Sequence, residues 1–256
     1  MNRRRLNSIR AVVTALAVVA TLCVSAPAEA GPIQLGFILD GSGSIGAGNW
    51  TTIRNGLSSA VNAYVPLGSQ YEVSVVTFGS TATKNIQNFV VSDAASKNLL
   101  VNSIANLPYL NGGSTNYAAA FTAMQQVLQL SISNAPFSYV NFATDGQQNS
   151  GGTGVTERNS LIAAGVDNIS IEGIGSSVDA NDLQTNFCYP GPCTIAPVYN
   201  FPTKGFYVGV ADAAGYAAAI GEKVEIVTTV PDLGSTLALF GVALVGLQGL
   251  RRRFHA

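Results

Sequence analysis

Three short segments of this chain crowd hydroxyls and carboxylates among glycines: Asp40-Gly41-Ser42-Gly43-Ser44, Gly112-Gly113-Ser114-Thr115-Asn116 and Thr144-Asp145-Gly146. Oxygen donors of this kind suit hard cations such as Mg²⁺, Mn²⁺ or Ca²⁺, and not Zn²⁺ or Cu²⁺. Each segment alone also has a plain reading, as an ordinary turn, a flexible loop and a strand cap. Their joint placement is more specific. Each leads into or out of an element at the end of an α/β sheet where ligands sit.

Those elements follow from the hydrophobic pattern. Ile33–Leu39, Glu72–Phe78, Tyr139–Ala143, Ile169–Ile174 and Phe206–Val210 are mostly apolar runs of strand length, as buried parallel strands require. Lys84–Val90 alternates and carries Lys and Asn, which suits an edge strand. Trp50, Ile53, Leu57, Val61 and Tyr64 recur at helical spacing until Pro66. Ser92 is placed to cap a helix through Leu107, with Leu99, Leu100, Ser103, Ile104 and Leu107 turned inward. Tyr117, Phe121, Met124 and Leu128 mark another helix, and further helices are expected over Glu157–Ala164, Asp179–Phe187 and Ala213–Val227. Strands alternating with helices predict an α/β fold: a doubly wound, mostly parallel sheet with helices on both faces and one antiparallel edge strand.

In this order and setting, the three segments resemble the von Willebrand factor type A family. Asp40-x-Ser42-x-Ser44, then Thr115, then Asp145 match the five positions of that family's metal-ion-dependent adhesion site. The likeness covers most of 31–227, is close through Trp50–Val65, and departs at the Cys188–Cys193 loop. It implies a divalent cation, Mg²⁺ first with Mn²⁺ or Ca²⁺ as alternatives, held by two carboxylates and three hydroxyls. At most two formal negative charges then face the ion. The family's hydroxyls commonly coordinate directly and its aspartates often act through water, so the ion can accept an acidic group from a protein or polysaccharide partner. Glycines at 41, 43, 112, 113 and 146 permit the backbone bends that gather five oxygens.

Composition narrows the function classes. Between Gly31 and Val230 six basic residues face twelve acidic ones, a formal balance of −6. No basic stripe exists to neutralise phosphates, which argues against nucleic acid. The one histidine, His255, lies near the C-terminus, and no Ser stands beside an obvious base, so no enzyme is expected. The rival functions are a structural matrix protein in which the cation only stiffens the loops, and a metal-assisted hydrolase. Cys188 and Cys193, separated by Tyr-Pro-Gly-Pro, read as a disulfide; a metal pair is the alternative, but no third soft ligand accompanies it.

Both ends read as targeting segments. Residues 1–30 hold a basic start (Arg3, Arg4, Arg5, Arg10), an apolar run Ala11–Val24 and the small-x-small site Ala28-Glu29-Ala30, the order of a signal peptide. A retained N-terminal anchor is the alternative, although the run is short for a span. The domain is expected over 31–229 and a sorting tail over 230–256. Leu237–Leu250 is apolar apart from Gln248 and is followed by Arg251-Arg252-Arg253. Fourteen helical residues reach about 21 Å, short of the ~30 Å hydrocarbon core. With Val230-Pro231-Asp232-x-Gly234-Ser235-Thr236 in front, the tail resembles a variant PEP-CTERM sorting signal. That resemblance implies a Gram-negative bacterium and an exosortase-type protease. The protein would be held briefly in the inner membrane, then released to the cell surface or medium.

Overall fold

Uninterrupted apolar runs become fully covered strands because helices occupy both sheet faces. In the computed structural model, residues 31–111 and 113–229 are described. Strand β1 (Ile33–Asp40) leads to helix α1 (Gly46–Tyr64), and β2 (Tyr71–Phe78) turns back into β3 (Ala82–Val90). Helices α2 (Ala94–Ala105) and α3 (Tyr117–Leu128) precede β4 (Ser138–Thr144), α4 (Val155–Ala163) and β5 (Asn168–Ile174). A short α5 (Ala180–Asp182) runs into a π-helical turn, Leu183–Phe187; β6 (Thr194–Ile195), β7 (Phe206–Val210) and α6 (Ala213–Thr229) follow.

The seven strands lie in the order β3-β2-β1-β4-β5-β7-β6. Every pairing is parallel except β2 with the edge strand β3. One apolar layer joins Trp50, Ile53, Leu57 and Val61 of α1 to Tyr216, Ile220 and Val224 of α6 and to Leu100 and Ile104 of α2. The other packs α3 and α4 against Ile38, Val76, Val140, Phe142 and Ile171. Chain order reverses across β1: β2 lies on one side and β4 on the other. The crevice beyond the carboxyl ends of β1 and β4 is therefore a topological switch point, where open α/β sheets bind ligands.

Several local expectations change. The N-cap of α2 is Asp93, not Ser92: Ser96 N donates to Asp93 Oδ1 at 2.8 Å, and Asp93 N donates to Ser96 Oγ at 2.9 Å. This reciprocal box satisfies two otherwise orphaned amides. Leu99 is 58% exposed and Ser103 also faces out, leaving Leu100, Ile104 and Leu107 as the inward stripe. Adjacent leucines sit about 100° apart on a helix, so both cannot face one core. Tyr64, the last residue of the helical stripe that begins at Trp50, lies at the exposed end of α1. The two-residue strand β6 was not anticipated, because two residues carry no period.

Among the described residues no helix is long and apolar enough to cross a membrane. The signal peptide over 1–30 and the apolar tail over 237–250 lie outside the described residues.

Candidate metal centre

The first segment leaves β1 with its carboxylate already pinned. Asp40 is the last residue of β1 and only 2% exposed. Ser42 N donates to Asp40 Oδ1 at 2.8 Å, and Thr144 Oγ1, from the end of neighbouring β4, donates to Asp40 Oδ2 at 2.6 Å. Gly41 N is held by Phe78 O at 2.7 Å, and Tyr109 OH donates to Ser42 O at 3.1 Å. The loop is thereby tied to β2 and to the segment following α2.

The other two segments close over it. Thr115 immediately precedes Asn116, whose side chain caps α3 by accepting from Ala119 N at 3.0 Å. Thr115 Oγ1 lies 3.4 Å from Ser42 Oγ, Ser42 Oγ lies 3.1 Å from Ser44 Oγ, and Ser44 Oγ donates to Asp145 Oδ1 at 2.7 Å. All five residues singled out by spacing are thus drawn into one hydrogen-bonded cluster. Asp40, Ser42 and Thr115 are buried at its floor; Ser44 is exposed and Asp145 half-buried at its rim.

One glycine is required by geometry, and a second keeps the cluster open. Gly113 has φ +91, and a Cβ there would fall 2.2 Å from Ser80 Oγ. A Cβ on Gly146 would stand 3.3 Å from Thr115 Oγ1 and 3.7 Å from Ser44 Oγ, inside the cluster. Gly112 lies outside the described residues.

The sequence reading missed the groups that hold this cluster. In the sequence Thr144 stands only as part of a strand cap and Tyr117 only as one of four residues marking a helix. Tyr117 OH donates to Gly146 O at 2.5 Å, while its ring packs edge-on against Phe142 and Phe187 at 4.9 and 5.2 Å. Asn149 Oδ1 accepts from Thr115 N at 2.9 Å, and Asn149 N returns a bond to Thr115 O at 3.1 Å. Asn149 follows Asp145 closely in a polar stretch, but nothing in its spacing marks it.

Electrostatically the floor lacks a positive charge. Burial pushes the Asp40 carboxyl up to about 6, against hydrogen bonds from Ser42 and Thr144 that lower it, and nearby Asp145 raises it further. Burial also raises Asp145, with the Ser44 bond opposing. No cationic group contributes to either shift. A buried carboxylate at the floor and a half-buried one at the rim, unmatched by Lys or Arg, fit a small divalent cation, and the hydroxyls between them supply neutral oxygens. Among the described residues no group of three or more His, Cys, Asp or Glu is gathered, so any site here depends on hydroxyl donors. A recess of about 290 Å³ opens beside Asp145, lined by Asn49, Gly175, Ser176, Ser177 and Asp212.

Cys188 and Cys193 are bridged, with Cα atoms 5.7 Å apart. The bridge stands beside the π-helical turn that follows α5 and takes no part in the cluster.

Comparison with known proteins fits this arrangement. The von Willebrand factor type A domain model matches residues 34–204, and a VPDSG-CTERM motif matches residues 229–254. Similar solved structures include proximal thread matrix protein 1 from the mussel byssus with a zinc-occupied MIDAS motif, at 19% identity and TM-score 0.57, covering 78% of this chain and 46% of that one. The pilus adhesin SpaC from Lactobacillus rhamnosus GG matches at 12% identity and TM-score 0.58, covering 78% and 30%. Manganese-loaded Plasmodium vivax TRAP protein matches at 23% identity and TM-score 0.53, covering 76% and 73%. This chain therefore spans less than half the length of the mussel protein and of the adhesin. No curated protein matches it in sequence. A family model laid over more than half of the chain, on the sheet order and helix layers described above, shows that the protein belongs to the von Willebrand factor type A domain family and carries a VPDSG-CTERM motif behind the domain.

Proposed function

We propose that this protein is an exported recognition module in which Asp40, Ser42, Ser44, Thr115 and Asp145 hold one divalent cation that receives an acidic group from a protein or polysaccharide partner. The observation that supports this most is the uncompensated, buried Asp40 at the floor of a cluster whose Ser44 and Asp145 reach solvent. Bound there, a cation would supply the missing positive charge. Three of its five protein donors are neutral, so it keeps attraction for an incoming carboxylate. The recess beside Asp145 offers polar surface for the rest of the ligand.

The ion is proposed as Mg²⁺, with Mn²⁺ or Ca²⁺ as alternatives. Zinc in the mussel protein's MIDAS motif means that oxygen donors alone do not exclude Zn²⁺, so zinc belongs in the test. A structural matrix role, with the cation only stiffening the loops, is a second reading favoured by the likeness to a thread matrix protein. Catalysis is not proposed, since the described residues include no histidine and both of their cysteines are bridged.

Titration calorimetry of the purified chain with each metal tests the site. Asp40→Ala and Thr115→Ala are expected to weaken binding at least tenfold; unchanged affinity in both removes the assignment. Surface polysaccharides and envelope proteins, screened with and without chelator, separate the two roles. A recognition module loses partner binding in chelator, whereas a scaffold loses only thermal stability.

A further inference from the structure

Away from the cation cluster, three polar side chains meet inside the core between the sheet and α6. Lys223 of α6 is 4% exposed, Glu172 of β5 is 0% exposed and Asn141 of β4 is 4% exposed. Lys223 Nζ lies 2.9 Å from Glu172 Oε1 and donates to Asn141 Oδ1, which places it beside the carbonyl group of that amide. The Phe206 ring covers the amine, with its centroid 4.9 Å from Nζ. Beyond the Lys223 contact, neither Glu172 carboxyl oxygen has a hydrogen-bond partner of good geometry, and Asn141 Nδ2 has none.

As a plain ion pair this is a poor arrangement. Burying two charges is costly, and attraction offsets that cost only when the remaining polar atoms are satisfied. Burial drives the two groups toward their uncharged forms. It raises the Glu172 carboxyl and lowers the Lys223 amine, and their mutual attraction opposes both shifts. A desolvated, neutral lysine is a nucleophile, and a protonated carboxyl is a proton donor.

We propose that Lys223 Nζ and Asn141 Cγ become joined by an intramolecular amide bond, with Glu172 moving the protons. The amine lone pair attacks the Asn141 carbonyl carbon while the Glu172 carboxyl donates to the carbonyl oxygen. Nζ then loses a proton to Glu172, Nδ2 gains one from it, and the Cγ–Nδ2 bond breaks as the carbonyl oxygen returns its proton to Glu172. One C–N bond forms, one breaks, and one ammonia leaves; nothing is oxidised or reduced, and Glu172 ends as it began. A cavity of about 20 Å³, room for one water-sized molecule, is lined by Asn141 and Lys223 with Asn168 and Ser170. It provides space for the departing ammonia.

The product replaces two buried charges with a neutral amide. It ties α6, the last described element before the tail, to β4 across 82 residues of chain. Traction applied behind α6 would then be carried by a covalent bond rather than by helix packing alone.

Mass spectrometry of the full chain tests this directly. With its disulfide reduced, the protein should weigh one ammonia, about 17 Da, less than its processed sequence. Trypsin should leave a branched peptide that joins the segment holding Asn141 to one in which Lys223 resists cleavage. Glu172→Gln, checked for retained secondary structure by circular dichroism, should lack both signatures. Asn141 and Lys223 recovered in separate, unmodified peptides from folded wild-type protein would overturn the bond. Undiminished linkage in Glu172→Gln would overturn the part given to Glu172.

Discussion

Thr144 Oγ1 and Asp40 Oδ2 lie 2.6 Å apart, joining the carboxyl ends of strands β4 and β1 across 104 residues of chain. The same hydroxyl lies 3.3 Å from both N and O of Gly146, so it orients this carboxylate from the third segment. Thr144→Val keeps the shape and removes the bond. We expect the cation affinity to fall by about 10-fold to 100-fold, the usual effect of losing an outer partner of a ligand. Calorimetric titration of both proteins checks it, and an unchanged affinity would show that Asp40 needs no such support.

A pH dependence follows from Asp40. Its carboxyl rises from 3.8 to about 6 on folding, so between those values the folded chain holds the proton more tightly than the unfolded one. Stability of the cation-free fold therefore decreases as pH rises through this window, by on the order of 3 kcal/mol. A bound cation relieves that loss only once Asp40 is ionised. The rise in melting temperature on adding Mg²⁺ or Mn²⁺ should be larger at pH 7.5 than at pH 5. Equal shifts at both values would separate Asp40 from cation binding.

The Cys188–Cys193 bridge closes a short loop, with a sequence separation of 5. Its contribution should lie below the ~3 kcal/mol of a fifteen-residue loop. The loop is also held without it: Arg158 Nη2 donates to Cys188 O at 2.9 Å and Arg158 Nε to Phe187 O at 3.3 Å. Reduction is expected to lower the melting temperature by only a few degrees and to add two hydrogens to the intact mass. Two alkylatable thiols in the native protein would exclude the bridge.

The tail should be removed in the native host. An apolar stretch of the length of 237–250 would be a marginal anchor, and sequence pairs such as Pro231-Asp232 and Gly234-Ser235 would disfavour continuous helix. Together with the VPDSG-CTERM match this points to processing within 230–236. Peptide mapping of the surface and medium fractions should find a C-terminus in that window. Intact protein ending Phe254-His255-Ala256, found only in membranes, would mark a permanent anchor instead.

What the sequence determined by itself is whatever local spacing encodes. Apolar runs and 3.6-residue stripes set the order of strands and helices. The spacing Asp40-x-Ser42-x-Ser44 with Thr115 and Asp145 marked side chains that fall into one cluster. Local pattern was not enough where two choices were locally equal. Ser92 and Asp93 both cap well, and Leu99 and Leu100 offer rival stripes, which only the neighbouring α1 and sheet resolve. Other features exist only after distant strands become neighbours. Thr144 serves Asp40 because β4 pairs with β1. Lys223, which would read as a solvated helix residue, is buried against Glu172 and Asn141 because α6 folds onto the middle of the sheet. A sequence pattern carries periodicity, but a buried charge and its partner are set by contact across the chain, and that contact belongs to the tertiary structure.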